Sequence, residues 1–228
     1  MSTLSIFSTA ELAESLYDRV RSCTMCPLAE TRTLAVPGEG PLDAEILFIG
    51  EAPGVNEDKQ GRPFVGQSGK FLDELLAAAG LSRDTVYICN VLKCRPPGNR
   101  DPLPAEIAAC SEYLEEQTGL IDPRVIVTLG RFSMARYFPT HRISAVHGRW
   151  KEVDGRFYVP MYHPAAALHQ QSLRETILTD FRGLPKVLQR ARQYRDQSGF
   201  MTAEDVAVNP SPEAETYQPP KAQMRLFG

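Results

Sequence analysis

Apolar residues recur along this chain with two alternating periods, close to 3.6 in some segments and in short unbroken runs in others. Thr9–Ser22 carries Leu12, Leu16, Tyr17 and Val20 on one face, with Ser8 or Thr9 available as a cap, so the spacing predicts a helix. Glu45–Gly50 is a short apolar run ending in glycine, the pattern of a buried parallel strand. A Gly/Pro-rich loop follows, then a predicted helix from Ser68 to Ala79 closed by Gly80. Thr85–Val91 reads as a second strand, and Pro104 to about Thr118 as an amphipathic helix with proline in its first turn. Arg124–Leu129 reads as a third strand, after which Gly130 opens a helix to about Phe138. Asp154-Gly155 between Val153 and Phe157–Met161 is a hairpin signal, and a long helix is expected from Leu173 to Arg195.

Strands alternating with helices predict an α/β fold with a mostly parallel sheet covered on both faces. In such folds ligands bind beyond the carboxyl ends of the strands. Three segments rich in chemistry, after Gly50, at Asn90 and at His163, all follow predicted strand ends. From Gln197 the sequence turns to Ser, Pro, Glu, Ala and Gln, which divides the 228 residues into a domain over 1–196 and a tail over 197–228, with 197–222 read as a disordered linker.

Composition changes this picture little. A hydrophobic fraction of 43% and a charged fraction of 23% are ordinary for a soluble globular protein. No stretch approaches a membrane span, and the N-terminus lacks the basic region of a secretory leader, so the expected location is the cytosol. The net charge of −3 neither supports nor excludes a nucleic-acid partner, because phosphate contacts need local cations and not a basic average.

The five cysteines are more telling. Cys23 and Cys26 form a Cys-x-x-Cys pair, Cys94 opens the loop Cys-Arg-Pro-Pro-Gly-Asn, and Cys110 lies in a predicted helix. In a cytosolic chain such a set points to metal or redox chemistry and away from disulfides. Four thiolates suit either a structural zinc or a [4Fe–4S] cluster, and spacing does not separate the two. Cys89, inside the apolar run Tyr87-Ile-Cys-Asn, reads as core packing.

In the loop after the first strand, Gly50-Glu-Ala-Pro-Gly54 and Glu57–Gly66 are rich in residues that let the backbone approach a ligand. Phe64, between Pro63 and Val65-Gly66, has little evident core to join and offers a flat stacking face. Asn90 combines a donor and an acceptor able to match the edge of a pyrimidine. Taken together, GEAPG with EDKQGRPFVGQSGKFLDELL, then ICNVLKCRPPGNRDPLPAE, then YHPAAAL and the four cysteines, resemble the family 4 uracil-DNA glycosylases over roughly Val20 to Leu188.

That resemblance implies a three-layer α/β/α sandwich around a four-stranded parallel sheet, with Cys23, Cys26, Cys94 and Cys110 holding a [4Fe–4S] cluster. It implies a monomer acting on uracil-containing DNA: Phe64 stacks on the flipped base, Asn90 bonds its O4/N3 edge, and His163 donates to O2 as the glycosidic bond breaks. Gly50, Glu51 and Ala52 line the uracil. Ala52 stands where many other uracil-DNA glycosylases carry a water-orienting Asp, which leaves Glu51 as the nearest catalytic carboxylate. The segment after His163 is expected to be an intercalation loop with Leu168 as its wedge, although His169-Gln170-Gln171 replaces the family's frequent Arg-Asn-Pro. Lys93, Arg95 and Arg100 are candidate phosphate contacts. A related group captures uracil-DNA covalently through a His in this loop. The loop Lys93–Asp101 has no His, so turnover is expected. Removal of another base on the same fold, or a non-catalytic iron–sulfur module that binds DNA or a polymerase, are the competing readings.

Gln223-Met-Arg-Leu-Phe227 resembles the short peptide by which bacterial repair proteins dock on the replication sliding clamp, with Gln223, Leu226 and Phe227 as its anchors.

Overall fold

The computed structural model describes residues 7–198; the predicted linker and clamp peptide, including Gln223, Leu226 and Phe227, lie outside them. The first helix, α1 (Thr9–Ser22), starts where Ser8 caps it: the Glu11 backbone N–H donates to Ser8 Oγ while the Ser8 N–H donates to the Glu11 carboxylate. A single turn, α2 (Leu28–Thr31), follows the Cys-x-x-Cys pair. Then come β1 (Ile46–Gly50), α3 (Val55–Gln60), α4 (Gln67–Ala78), β2 (Tyr87–Asn90) and α5 (Pro104–Ile121). The remainder is β3 (Val125–Leu129), α6 (Arg131–Ala135), α7 (Ile143–Val146), β4 (Lys151–Val153), β5 (Arg156–Met161), α8 (Pro164–His169) and α9 (Leu173–Ser198).

The strands lie in the order β2-β1-β3-β5-β4. The first four pair in parallel, and β4 adds an antiparallel edge to β5. The α/β class and the four parallel strands are as expected, but the sheet has five strands. The fifth arises because Asp154 and Gly155 both take left-handed backbone angles, φ 52° and 76°, closing a tight hairpin that lays Lys151–Val153 back on the sheet.

Every residue of β1, β2 and β3 is buried, as a sheet covered on both faces demands. Alternate positions feed two cores. Ile46, Phe48, Ile88, Val127 and Val159 pack against Phe71, Leu72 and Leu75 of α4 and Ile177, Phe181 and Leu184 of α9. Leu47, Ile49, Tyr87, Cys89 and Ile126 face the other way, toward Leu114 and Ile121 of α5. Each fully buried aliphatic or aromatic side chain contributes about 1.5–3 kcal/mol. Cys89 is completely buried in this second core, the packing role expected of it. Among the described residues no helix is long and apolar enough to cross a membrane.

The connection from β1 leads to β2 on one side, and the next one crosses back to β3 on the other. This reversal opens a crevice at the carboxyl ends of the strands.

Candidate active site

A cleft of about 370 Å³ occupies that crevice, within the size range of small-molecule sites. Its walls are the chain after β1 (Glu51 to Glu57), Phe64 to Ser68, Asn90 at the end of β2, and His163 just past β5. The sequence-predicted residues Glu51, Ala52, Phe64, Asn90 and His163 therefore all converge on it, and Gly50 lies directly beneath. A Cβ on Gly50 would run into Asn90 Oδ1 and sit 2.7 Å from two Phe64 ring carbons, so glycine is what allows those two side chains to share the floor.

Asn90 is 2% exposed, and its Oδ1 is fully buried without a hydrogen-bond partner among the described residues. An unsatisfied buried acceptor at the wall of a cleft is free to take a donor from whatever enters it, water or ligand.

Phe64 corrects the sequence reading. It does have a core to join: it is 5% exposed and packs with the α4–α9 cluster while its ring still lines the cleft. Its ring stacks on His163, with centroids 5.5 Å apart and planes at 28°. Phe64 holds a left-handed φ of 52°, unusual for a bulky residue. Arg83 stabilises this turn by donating to the carbonyls of Pro63 and Phe64. Gly69 makes room for it, since a Cβ there would collide with the Phe64 carbonyl.

His163 caps α8 through its side chain: the Ala165 backbone N–H donates to Nδ1 at 3.1 Å. A neutral ring that accepts at Nδ1 carries its proton on Nε2. Burial lowers the His163 pKa from near 6.5 to about 4, with the nearby Glu57 carboxylate opposing the shift, so the imidazole is neutral at physiological pH. Gly130, with φ 92°, packs its Cα side against His163.

Glu51 is partly buried in the cleft wall. Burial raises its pKa above the ordinary carboxylate value, Asp101 adds to the rise, and Arg131 counters it. Glu57 is a residue the motif contained but to which sequence reasoning gave no role. Its carboxylate accepts from the backbone N–H groups of Gly54, Val65 and Gly66 at 3.1, 2.8 and 2.8 Å, pinning both ends of the loop that carries Phe64. The signal was a Glu three residues after the glycine that precedes α3, placed to reach back to the Gly54 N–H.

Two further expectations change. The segment after His163 is not an open loop but the short helix α8, begun by Pro164 at its first turn, with Leu168 44% exposed on it. Lys93 is no phosphate contact: it is 1% exposed and its ammonium is engaged internally. Arg95 donates to Asn99 Oδ1, and Arg100 is held bidentate by Glu106 at the cleft rim.

Cys23, Cys26, Cys94 and Cys110 line one small pocket between α1, α2, the loop after β2 and α5. N–H groups already point at three of the sulfurs: Met25 N to Cys23, Arg32 Nη1 to Cys94, and Lys93 N to Cys110, at 3.5, 3.2 and 3.4 Å. Such donors favour thiolates. Burial pushes the Cys94 and Cys110 thiols the other way, Cys110 up to about 11 despite the opposing Lys93 charge. Among the described residues, no three His, Cys, Asp or Glu side chains are drawn together as a single-ion site.

A family profile described as the Uracil DNA glycosylase superfamily matches residues 37–182, well over half of the chain. Type-4 uracil-DNA glycosylases are similar over nearly their whole length. That of Archaeoglobus fulgidus is 50% identical over 181 residues, 74% of this chain and 91% of the relative. That of Sulfurisphaera tokodaii is 47% identical, covering 79% and 87%. That of Thermotoga maritima is 45% identical, covering 77% and 94%. The chain belongs to the uracil-DNA glycosylase superfamily and, within it, to the type-4 enzymes.

Proposed function

We propose that this enzyme removes uracil from DNA, opening base-excision repair of deaminated cytosine, by the following division of labour. The observation that carries the reading is the orphaned Asn90 Oδ1 at the cleft wall. Uracil offers it the N3–H donor, with the neighbouring O4 accepting from Nδ2. Cytosine reverses both groups and leaves the buried amide unmatched, a penalty that supports strong discrimination. The base reaches the cleft only by flipping out of the duplex, at a cost of about a few kcal/mol. Leu168 wedges into the gap, and Phe64 stacks on the flipped ring.

Breaking the N-glycosidic bond leaves negative charge on uracil O2 and positive charge on the sugar. The Nε2–H of neutral His163 donates to O2 as that charge grows, an oxyanion-type stabilisation. Glu51 orients the attacking water or balances the sugar cation, the task Ala52 has no side chain to perform. Replacing Glu51 by Gln is expected to lower single-turnover uracil release by about ten- to hundredfold; an unchanged rate would remove Glu51 from the reacting groups.

We infer that the four cysteines that line this one pocket hold a [4Fe–4S] cluster, one thiolate to each iron. The preformed N–H donors suit thiolates and cluster sulfurs alike. When bound, the cluster supplies a cross-link among α1, α2, the loop after β2 and α5.

Uracil release from a single-uracil oligonucleotide tests the function. Strand breakage after alkali, absent with cytosine in the same position, is the expected result. A folded, DNA-binding preparation that releases no base would overturn it in favour of a binding module. Gln223, Leu226 and Phe227 are proposed to dock on the sliding clamp. A peptide spanning Pro219–Gly228 should bind the clamp, and binding should vanish on replacing Leu226 and Phe227 by Ala; no binding at high micromolar concentration would sink the idea.

A further inference from the structure

Lys93 is among the largest fully buried side chains of the protein. Its ammonium donates to the Asn90 backbone carbonyl at 2.8 Å and to Gln117 Oε1 at 2.5 Å. Both acceptors are neutral. The Gln117 amide nitrogen in turn donates to the carbonyl of Pro37 at 2.6 Å and to the Tyr87 hydroxyl at 3.3 Å. Through its own main chain Lys93 donates to Cys110 Sγ and accepts from Val36 N at 2.7 Å.

The ammonium also interacts with the nearby Cys110 sulfur, but both of its hydrogen-bond acceptors are neutral, and an apolar side chain of the same length would fill this space without desolvating a charge. What the ammonium supplies, and a methyl group would not, is a charge-assisted bond to one particular carbonyl. That carbonyl belongs to Asn90, the last residue of β2, whose side chain faces the cleft. The plane of the Asn90–Val91 peptide helps set where its Cβ, and with it the amide, points. Gln117 aims the ammonium from α5, the helix that also carries Cys110.

We propose that Lys93 is a positioning residue: by holding the Asn90 carbonyl it fixes the base-reading amide, and it ties that amide to the helix bearing Cys110. This rests on the reading of Asn90 as the uracil selector. A double-mutant cycle with Lys93→Met and Asn90→Ala, run on full-length protein at equal iron content, tests it. Two quantities are measured: kcat/KM for uracil release, and binding preference for an oligonucleotide with one 2′-fluoro-2′-deoxyuridine over the same strand with cytidine.

Lys93→Met should lower both by about tenfold or more, while in the Asn90→Ala background it should change neither by more than about twofold. Equal losses in both backgrounds would show that Lys93 acts on the fold at large and overturn the proposal. An Asn90→Ala enzyme with full rate and preference would instead remove the premise, a distinguishable failure. Should Lys93→Met not fold, Gln117→Met, which withdraws the second acceptor aiming the ammonium, takes its place in the cycle. Its losses should likewise disappear in the Asn90→Ala background, and losses that persist there would overturn the proposal.

Discussion

Replacing His163 by Ala should cut single-turnover uracil release by about 10²–10³, with little change in KM, because the lost bond strengthens only as charge develops on O2. The pH profile should carry a second signature. Protonation of His163 is held down to about pH 4 by burial, well below its ordinary 6.5. Between pH 8 and about 5 the ring therefore stays neutral, and no loss of rate in that window should trace to this residue. Below it, a proton on Nδ1 abolishes the acceptor for the Ala165 N–H and loosens the start of α8. The sign for stability follows: the unfolded chain takes up this proton first, so the contribution of His163 to stability is complete above about pH 6.5 and declines as pH falls toward 4. A rate that fell with an apparent pKa near 6.5 in the wild type, and lost that step in His163→Ala, would contradict the neutral donor.

Gly50→Ala should be nearly as damaging, although it adds only a methyl group. Gly50 pairs with Asn90 in the parallel ladder, so neither backbone has freedom to retreat. The new Cβ would displace the Asn90 amide and the Phe64 ring together. A misplacement of about 1 Å at a reacting site costs about a hundredfold in rate. Overpacking should also lower stability by about 1–3 kcal/mol. Gly119→Ala is the matched control: its Cβ would meet nothing within 4 Å, inside helix α5. That change should stabilise by about 0.5–1 kcal/mol and leave uracil release untouched. If Gly50→Ala retained wild-type release, the cleft floor would not be the place where the base sits.

The elements that were legible in the sequence are those whose signals are local. The Ser8 cap and the apolar face at Leu16 and Val20 set α1 to the residue. Buried runs marked β1, β2 and β3, and Asp154-Gly155 marked the hairpin. Glu51, Asn90 and His163 were legible because they lie at or just past strand ends, while Phe64 was placed in the cleft only by the resemblance of its loop motif. What escaped depends on tertiary context. Six-residue helices such as α3 and α8 are too short to show a period, and α8 starts from a histidine side chain acting as a cap. α6 stops at Ala135 and not near Phe138, while α9 runs on to Ser198 through Pro185, so neither boundary followed the local punctuation. Lys93 read as a surface cation because nothing near it in sequence names Gln117, its partner 24 residues on. Phe64 read as a loop aromatic because the residues that bury it come from α4 and α9.

The helix α8 joins two tasks that could have been built separately. His163 caps its start and Leu168 stands exposed one turn and a half further along, about 8 Å of rise away. On the proposed roles, the lever that occupies the vacated stack and the group that receives charge from the departing base belong to one short rigid body. Extrusion of the nucleotide and readiness for bond breaking then become a single commitment. A normal base that never leaves the duplex never meets an armed histidine, and idle encounters along undamaged DNA stay harmless.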